Sequence, residues 1–80
     1  MPTVLRLDGF KLFFYSDEGE PREPPHIHVF KAGLEAKFWL TPEVQLARND
    51  GFDAKTLRKL STLVATHRDQ LERAWYDYFA

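Results

Sequence analysis

The sequence predicts an α+β fold: an antiparallel sheet of two β-hairpins, with room for a short fifth strand, and one long C-terminal helix across one face. Three observations carry this. One pair of apolar-rich runs turns on Asp8-Gly9, and a second pair turns on Ala32-Gly33. From residue 54 onward neither glycine nor proline occurs, and apolar residues recur three and four apart. The period is near two in the first half and near 3.6 in the last third, so strands give way to helix. Strands followed by a helix make an α+β domain rather than a parallel sheet.

The first hairpin is "TVLRL" against "FKLFFYS". Asp-Gly accepts the positive φ angles of a two-residue type I′ turn, which places strands near residues 3–7 and 10–15. An acidic loop follows, "SDEGEPREPP", with four acids and one base. The second hairpin, "HIHVFK" and "LEAKFWL", places strands near 26–31 and 34–40. Residues 41–50 read either as a short fifth strand through Val44, Leu46 and Arg48 or as an irregular crossing. Asp53 then caps a helix from about 54 to 78, with Phe52 and Leu57 placed as a hydrophobic staple. Leu57, Leu60, Val64, His67, Leu71, Trp75 and Tyr78 share its apolar face.

Eighty residues make a single domain, 1–80, with space for one sheet layer and one helical layer. The hydrophobic share of 44% favours a packed core over disorder. The absence of cysteine excludes a disulfide scaffold and thiolate metal ligands. No apolar run approaches the roughly 20 residues of a membrane span, so a cytoplasmic protein without a membrane partner is expected. A net charge of -1 gives no global attraction to nucleic acid, so any such attraction must be local.

Strand alternation makes it local. Pairing Lys31 with Leu34 puts Val29 opposite Ala36 and Ile27 opposite Phe38 on one apolar face. On the other face His28 meets Lys37, His26 meets Trp39 and Phe30 meets Glu35. In the first hairpin Leu7 meets Phe10, Leu5 meets Leu12 and Thr3 meets Phe14 on the apolar face. Arg6 meets Lys11 and Val4 meets Phe13 on the other, with Tyr15 beyond. A helix covers only the apolar face. The second face then presents Arg6, Lys11, Phe13, Tyr15, His26, His28, Lys37 and Trp39. Like charges across a strand pair are unfavourable, which suits an anionic ligand. Cations among aromatics are also how a sheet holds single-stranded nucleic acid, so Arg6, Lys11, Phe13 and Trp39 are nucleic-acid-binding candidates. The plainer reading is a solvated face kept soluble by its lysines and arginines, or a surface for a protein partner.

His26 and His28 admit several chemistries. Imidazoles two apart on a strand could share a metal ion with Glu35, but Lys37 opposite His28 would repel it, so no metal and no cofactor are expected. Histidine-hydrophobe-histidine with a helix tyrosine resembles an HUH endonuclease, but Tyr76 and Tyr78 belong to a helix on the opposite face. Metal-free RNA cleavage fits better, with a histidine as acid or base and Lys37 steadying the phosphorane. A cation beside His28 would also favour its neutral form. Against all of these stand two ordinary polar residues on a half-exposed strand. Truncating His28 or Lys37 on such a face would cost about 0.5 kcal/mol or less. His67 reads as a hydrogen-bonded histidine at the core edge.

The blocks "MPTVLR", "GFKLFFYS", "EPPHIHVF", "EAKFWL", "LAR" and "GF" run in an order that strongly resembles the small prokaryotic family catalogued as domain of unknown function four-one-six-zero. The resemblance extends from Pro2 to the aromatic helix; the acidic loop, with Arg22 among its acids, is longer than the family's usual lead-in. Members are commonly encoded beside another small protein in arrangements like toxin–antitoxin pairs. That implies a toxin-like component of a type II pair, a cognate antitoxin-like partner encoded nearby, and action on RNA or the translation machinery. The matching blocks hold the catalytic candidates Tyr15, His26, His28, Lys37 and Arg48, with Trp39 beside them; the resemblance itself brings no established catalytic set. Two functions follow: a toxin whose His/Lys/aromatic face binds or cuts RNA as a metal-independent ribonuclease, or a non-catalytic module that docks a partner protein.

Overall fold

The computed structural model describes residues 3–16 and 23–79. Most of the acidic loop, 17–22, lies outside the described residues. Among the described residues five antiparallel strands follow one another in space as in sequence: β1 (Thr3–Leu7), β2 (Phe10–Phe13), β3 (His26–Lys31), β4 (Leu34–Trp39) and β5 (Gln45–Asp50). Two helices follow among the described residues, α1 (Ala54–Thr66) and α2 (Arg68–Tyr78).

The turns behave as their residues demand. Asp8 and Gly9 have φ of 50° and 81°, Ala32 and Gly33 of 53° and 82°, so both hairpins turn through two left-handed residues. The second turn sets a pairing in which His26 faces Trp39, Ile27 faces Phe38, His28 faces Lys37 and Lys31 faces Leu34. The first hairpin keeps the expected pairs Leu5–Leu12, Arg6–Lys11 and Leu7–Phe10. Its far end departs from expectation. An irregularity between Thr3 and Leu5 sets Thr3, not Val4, opposite Phe13. A bulge of this kind ends regular pairing, and β2 stops at Phe13 instead of continuing to Tyr15. Phe14 then drops into the core against Trp75, at 5.3 Å, while Tyr15 turns over the opposite face onto His28.

The ambiguous segment forms β5 against β4. Asn49 ends it by holding both backbone groups of Phe52, and Gly51 at φ 112° supplies the left-handed step into α1. Asp53 caps α1, accepting from the Thr56 N–H at 2.8 Å.

The helical region is two helices, not one long helix. They meet at His67 (φ -103°, ψ 12°). The Leu63 carbonyl accepts both the His67 backbone N–H, at 3.2 Å, and its ring Nδ1–H, at 2.9 Å. Thr62 and Thr66 also donate to the carbonyls of Arg58 and Thr62, a back-bonding that bends helices. Arg68 donates to the Pro42 carbonyl, which ties the start of α2 to the β4–β5 connection.

Phe10, Leu12, Phe14, Ile27, Val29, Ala36, Phe38 and Leu40 bury against Phe52, Leu60, Val64, Leu71 and Trp75. Tyr78, expected on this face, is exposed. Among the described residues no helix is long and apolar enough to cross a membrane.

Candidate functional site

The opposite face is neither an open platform nor a solvated surface at its centre. His26 and His28 are 0% and 2% exposed, and Phe13 is 2% exposed. The expectation of half-exposed histidines is therefore corrected. The chain leaving β2 and the chain entering β3 both fold across this end of the sheet. Tyr15 sets its ring edge-on to His28 at 4.6 Å and to Phe13 at 5.1 Å. Phe13 lies 5.4 Å from His28. These rings make a second, aromatic layer.

His26 sits deepest. Its Nδ1 is 3.0 Å from the Pro24 carbonyl. A carbonyl only accepts, so Nδ1 carries the proton. Trp39 meets the ring edge-on at 5.6 Å, and Trp75 of α2 lies 4.6 Å away. The helical layer is thus not confined to the face opposite the histidines, as expected, because α2 reaches the end of the sheet at His26. It does so with Trp75, whereas Tyr76 and Tyr78 are exposed.

The polar centre is Glu35. The Tyr15 hydroxyl donates to its Oε1 at 2.9 Å. Its Oε2 lies 3.3 Å from His28 Nδ1 and 3.6 Å from Arg48 Nη2. Three of the sequence candidates, Tyr15, His28 and Arg48, therefore converge on one carboxylate. They come from three places in the chain: the exit of β2, the middle of β3 and the middle of β5. Cross-strand pairing explains the arrangement. Glu35 is opposite Asp50, and Lys37 opposite Arg48, two like-charged pairs. Arg48 leans diagonally to sit between the two carboxylates, 3.1 Å from Asp50 through Nε. The Glu35 side chain keeps 19% exposure and the Arg48 side chain 57%, against 3% for His28. Solvent reaches Glu35 and Arg48; His28 stands behind them.

Lys37 does not act on His28, although it is its cross-strand neighbour. Its ammonium donates to Glu23 at 2.9 Å and lies 4.5 Å over the Trp39 ring. The charge set against His28 is the Glu35 carboxylate, not the Lys37 cation. Lys11 likewise turns from Arg6 towards the rings of Phe13 and Phe30, at 4.9 and 5.7 Å. Of the nucleic-acid candidates, Arg6 is exposed, Lys11 and Trp39 are half-buried, and Phe13 is closed off beneath Tyr15.

Sequence reasoning missed Glu35 as the centre and treated it only as a spare metal ligand. Half of the signal was available: the hairpin register sets Glu35 diagonal to His28, but Arg48 reaches it from a strand that the sequence left open. Among the described residues no three His, Cys, Asp or Glu side chains gather as a metal-ion set. Arg48 on Glu35 would also oppose a cation there.

Compared with known proteins, the chain matches the family model described as Domain of unknown function (DUF4160) over residues 9–76. No curated protein and no solved structure gives a match.

Proposed function

The chain belongs to the DUF4160 family, and for it we propose a toxin-like role in a type II pair, exerted by metal-independent cleavage of RNA at Glu35. One observation carries the reading: Tyr15, His28 and Arg48 converge on a single, partly accessible carboxylate. RNA carries its own nucleophile, the 2′-hydroxyl, so cleavage needs a base, an acid and a cation rather than a metal. Glu35 takes the 2′-hydroxyl proton. The 2′-oxygen then bonds to phosphorus, and the bond from phosphorus to the 5′-oxygen breaks. Tyr15 gives its proton to the departing 5′-oxygen and regains one from Glu35 through their shared hydrogen bond. Arg48 meets the charge that builds on the phosphorane oxygens. The products are a 2′,3′-cyclic phosphate and a 5′-hydroxyl, and no atom or proton is left over. His28 is a positioning residue: its ring stands against the inner side of the carboxylate, Nδ1 3.3 Å from Oε2.

A second reading keeps the chain non-catalytic. Every residue of β5, a sheet edge, is exposed, and Leu46 is 44% exposed there. An open edge strand offers unpaired backbone groups to a partner strand. Expression in cells separates the two. The catalytic reading expects growth arrest by the wild type, relief by the neighbouring gene product, and no arrest by Glu35→Gln. Arrest by Glu35→Gln equal to wild type, abolished instead by Leu46→Lys, would give the docking reading first place.

A further inference from the structure

We infer that Phe30 is the stacking platform for one unpaired nucleobase of the RNA strand cut at Glu35, an inference that rests on the catalytic reading above. Lys11, Phe30, Glu35 and Asp50 form one row across β2, β3, β4 and β5. Neighbouring strands lie about 4.8 Å apart, so the Phe30 ring and the Glu35 carboxylate stand side by side. Phe30 is 38% exposed, whereas the other phenylalanine on this face, Phe13, is 2% exposed. Phe30 thus presents an aromatic surface immediately beside the reacting group.

The charges around it suit a nucleotide. Lys11 flanks the ring on the β2 side, its ammonium 5.7 Å from the centroid but nearer, at 4.9 Å, to Phe13. Arg48 lies beyond it, diagonal to Glu35 on β5 and 57% exposed. A base on the ring would carry its phosphates between these two cations. Bases stack on aromatics with little sequence preference, and paired bases cannot present their faces, so the substrate class is single-stranded RNA without strict sequence. The polar neighbours, not the ring, then distinguish RNA, because only RNA offers Glu35 a 2′-hydroxyl.

The test uses the Glu35→Gln chain, so that RNA is bound and not consumed. Its affinity is measured for an oligoadenylate of roughly ten nucleotides, for the same oligomer without bases, and for an RNA duplex. Phe30→Ala in that background should weaken oligoadenylate binding about tenfold, and Phe30→Trp should restore it. The baseless oligomer should bind weakly to both, and the duplex should not distinguish them. Circular dichroism checks that each variant is folded. Equal oligoadenylate affinity with and without the Phe30 ring overturns the inference; wild-type cleavage of the same RNA would then leave the catalytic reading standing. Absence of RNA binding in every variant, with no cleavage by the wild type, removes both.

Discussion

The Tyr15 hydroxyl donates to the Glu35 carboxylate at 2.9 Å, joining residues 20 apart in sequence. The bond reaches from the exit of β2 to β4, over the intervening strand β3 and past the His28 ring. It fixes one carboxylate oxygen and leaves the other to His28 and Arg48. Tyr15→Phe removes this bond while keeping the ring contacts. It should cost about 1 kcal/mol of stability in urea denaturation. RNA cleavage should fall much further, by about a hundredfold or more, because the proposed general acid is gone. Loss of activity no greater than the loss of folded protein would assign Tyr15 a structural role only.

Burial separates residues that the sequence places side by side. His28→Ala opens a gap among Phe13, Tyr15 and His26 and should cost about 2–4 kcal/mol. Lys37→Ala takes the ammonium away from a Glu23 side chain that is 40% exposed and should cost about 1 kcal/mol or less. Phe38→Ala, fully buried under the helices, should cost about 3–5 kcal/mol. Thermal and urea unfolding of the three variants tests the order. A His28→Ala loss as small as that of Lys37→Ala would show that the aromatic layer around His28 is not a packed unit.

The second hairpin was legible pair by pair because a two-residue turn leaves one register. The first was legible only as far as its bulge, which no residue between Thr3 and Leu5 announces. The apolar stripe of the helical region was legible as far as Trp75, since it depends only on spacing; Tyr78 at its end is exposed. Its break was not. Thr62, Thr66 and His67 bend it through hydrogen bonds to carbonyls one turn back, a competition that apolar periodicity does not register. At the site, Tyr15, His28 and Arg48 could be named singly. Their common partner could not, because Arg48 reaches Glu35 from β5, whose existence the segment 41–50 left open. The burial of the histidines escaped for a related reason: Trp75 comes from α2, and Tyr15 acts only once β2 has ended.

The turn at Ala32 carries avoidable strain. Its φ of 53° is left-handed, a conformation that costs an alanine roughly 1 kcal/mol and an asparagine less. Ala32→Asn should raise stability by about 0.5–1 kcal/mol, read as a higher urea midpoint with an unchanged slope. A neutral or lower midpoint would mean that the strain is relieved elsewhere in the hairpin.

Asp53 makes stability depend on pH at the acid end. Hydrogen bonding with Thr56 holds its carboxyl below the ordinary value of 3.8. The folded state therefore prefers the ionised form. That contribution is fully present above the unfolded value and disappears as pH falls through the depressed one. The stability difference between the wild type and Asp53→Ala should be constant from neutral pH down to about pH 5 and shrink below it. A difference that stays constant to pH 2 would show that ionisation of Asp53 is not what caps α1.

The most direct test of the account is cleavage of single-stranded RNA by the purified wild type and by Glu35→Gln, with a chelator present and the new ends identified. The exchange of carboxylate for amide keeps an acceptor for Tyr15 and removes the base. The account predicts 2′,3′-cyclic phosphate and 5′-hydroxyl ends from the wild type, undiminished by the chelator, and a rate lower by about a hundredfold or more for Glu35→Gln. RNA left intact by the wild type, or cut as fast by Glu35→Gln, would contradict it.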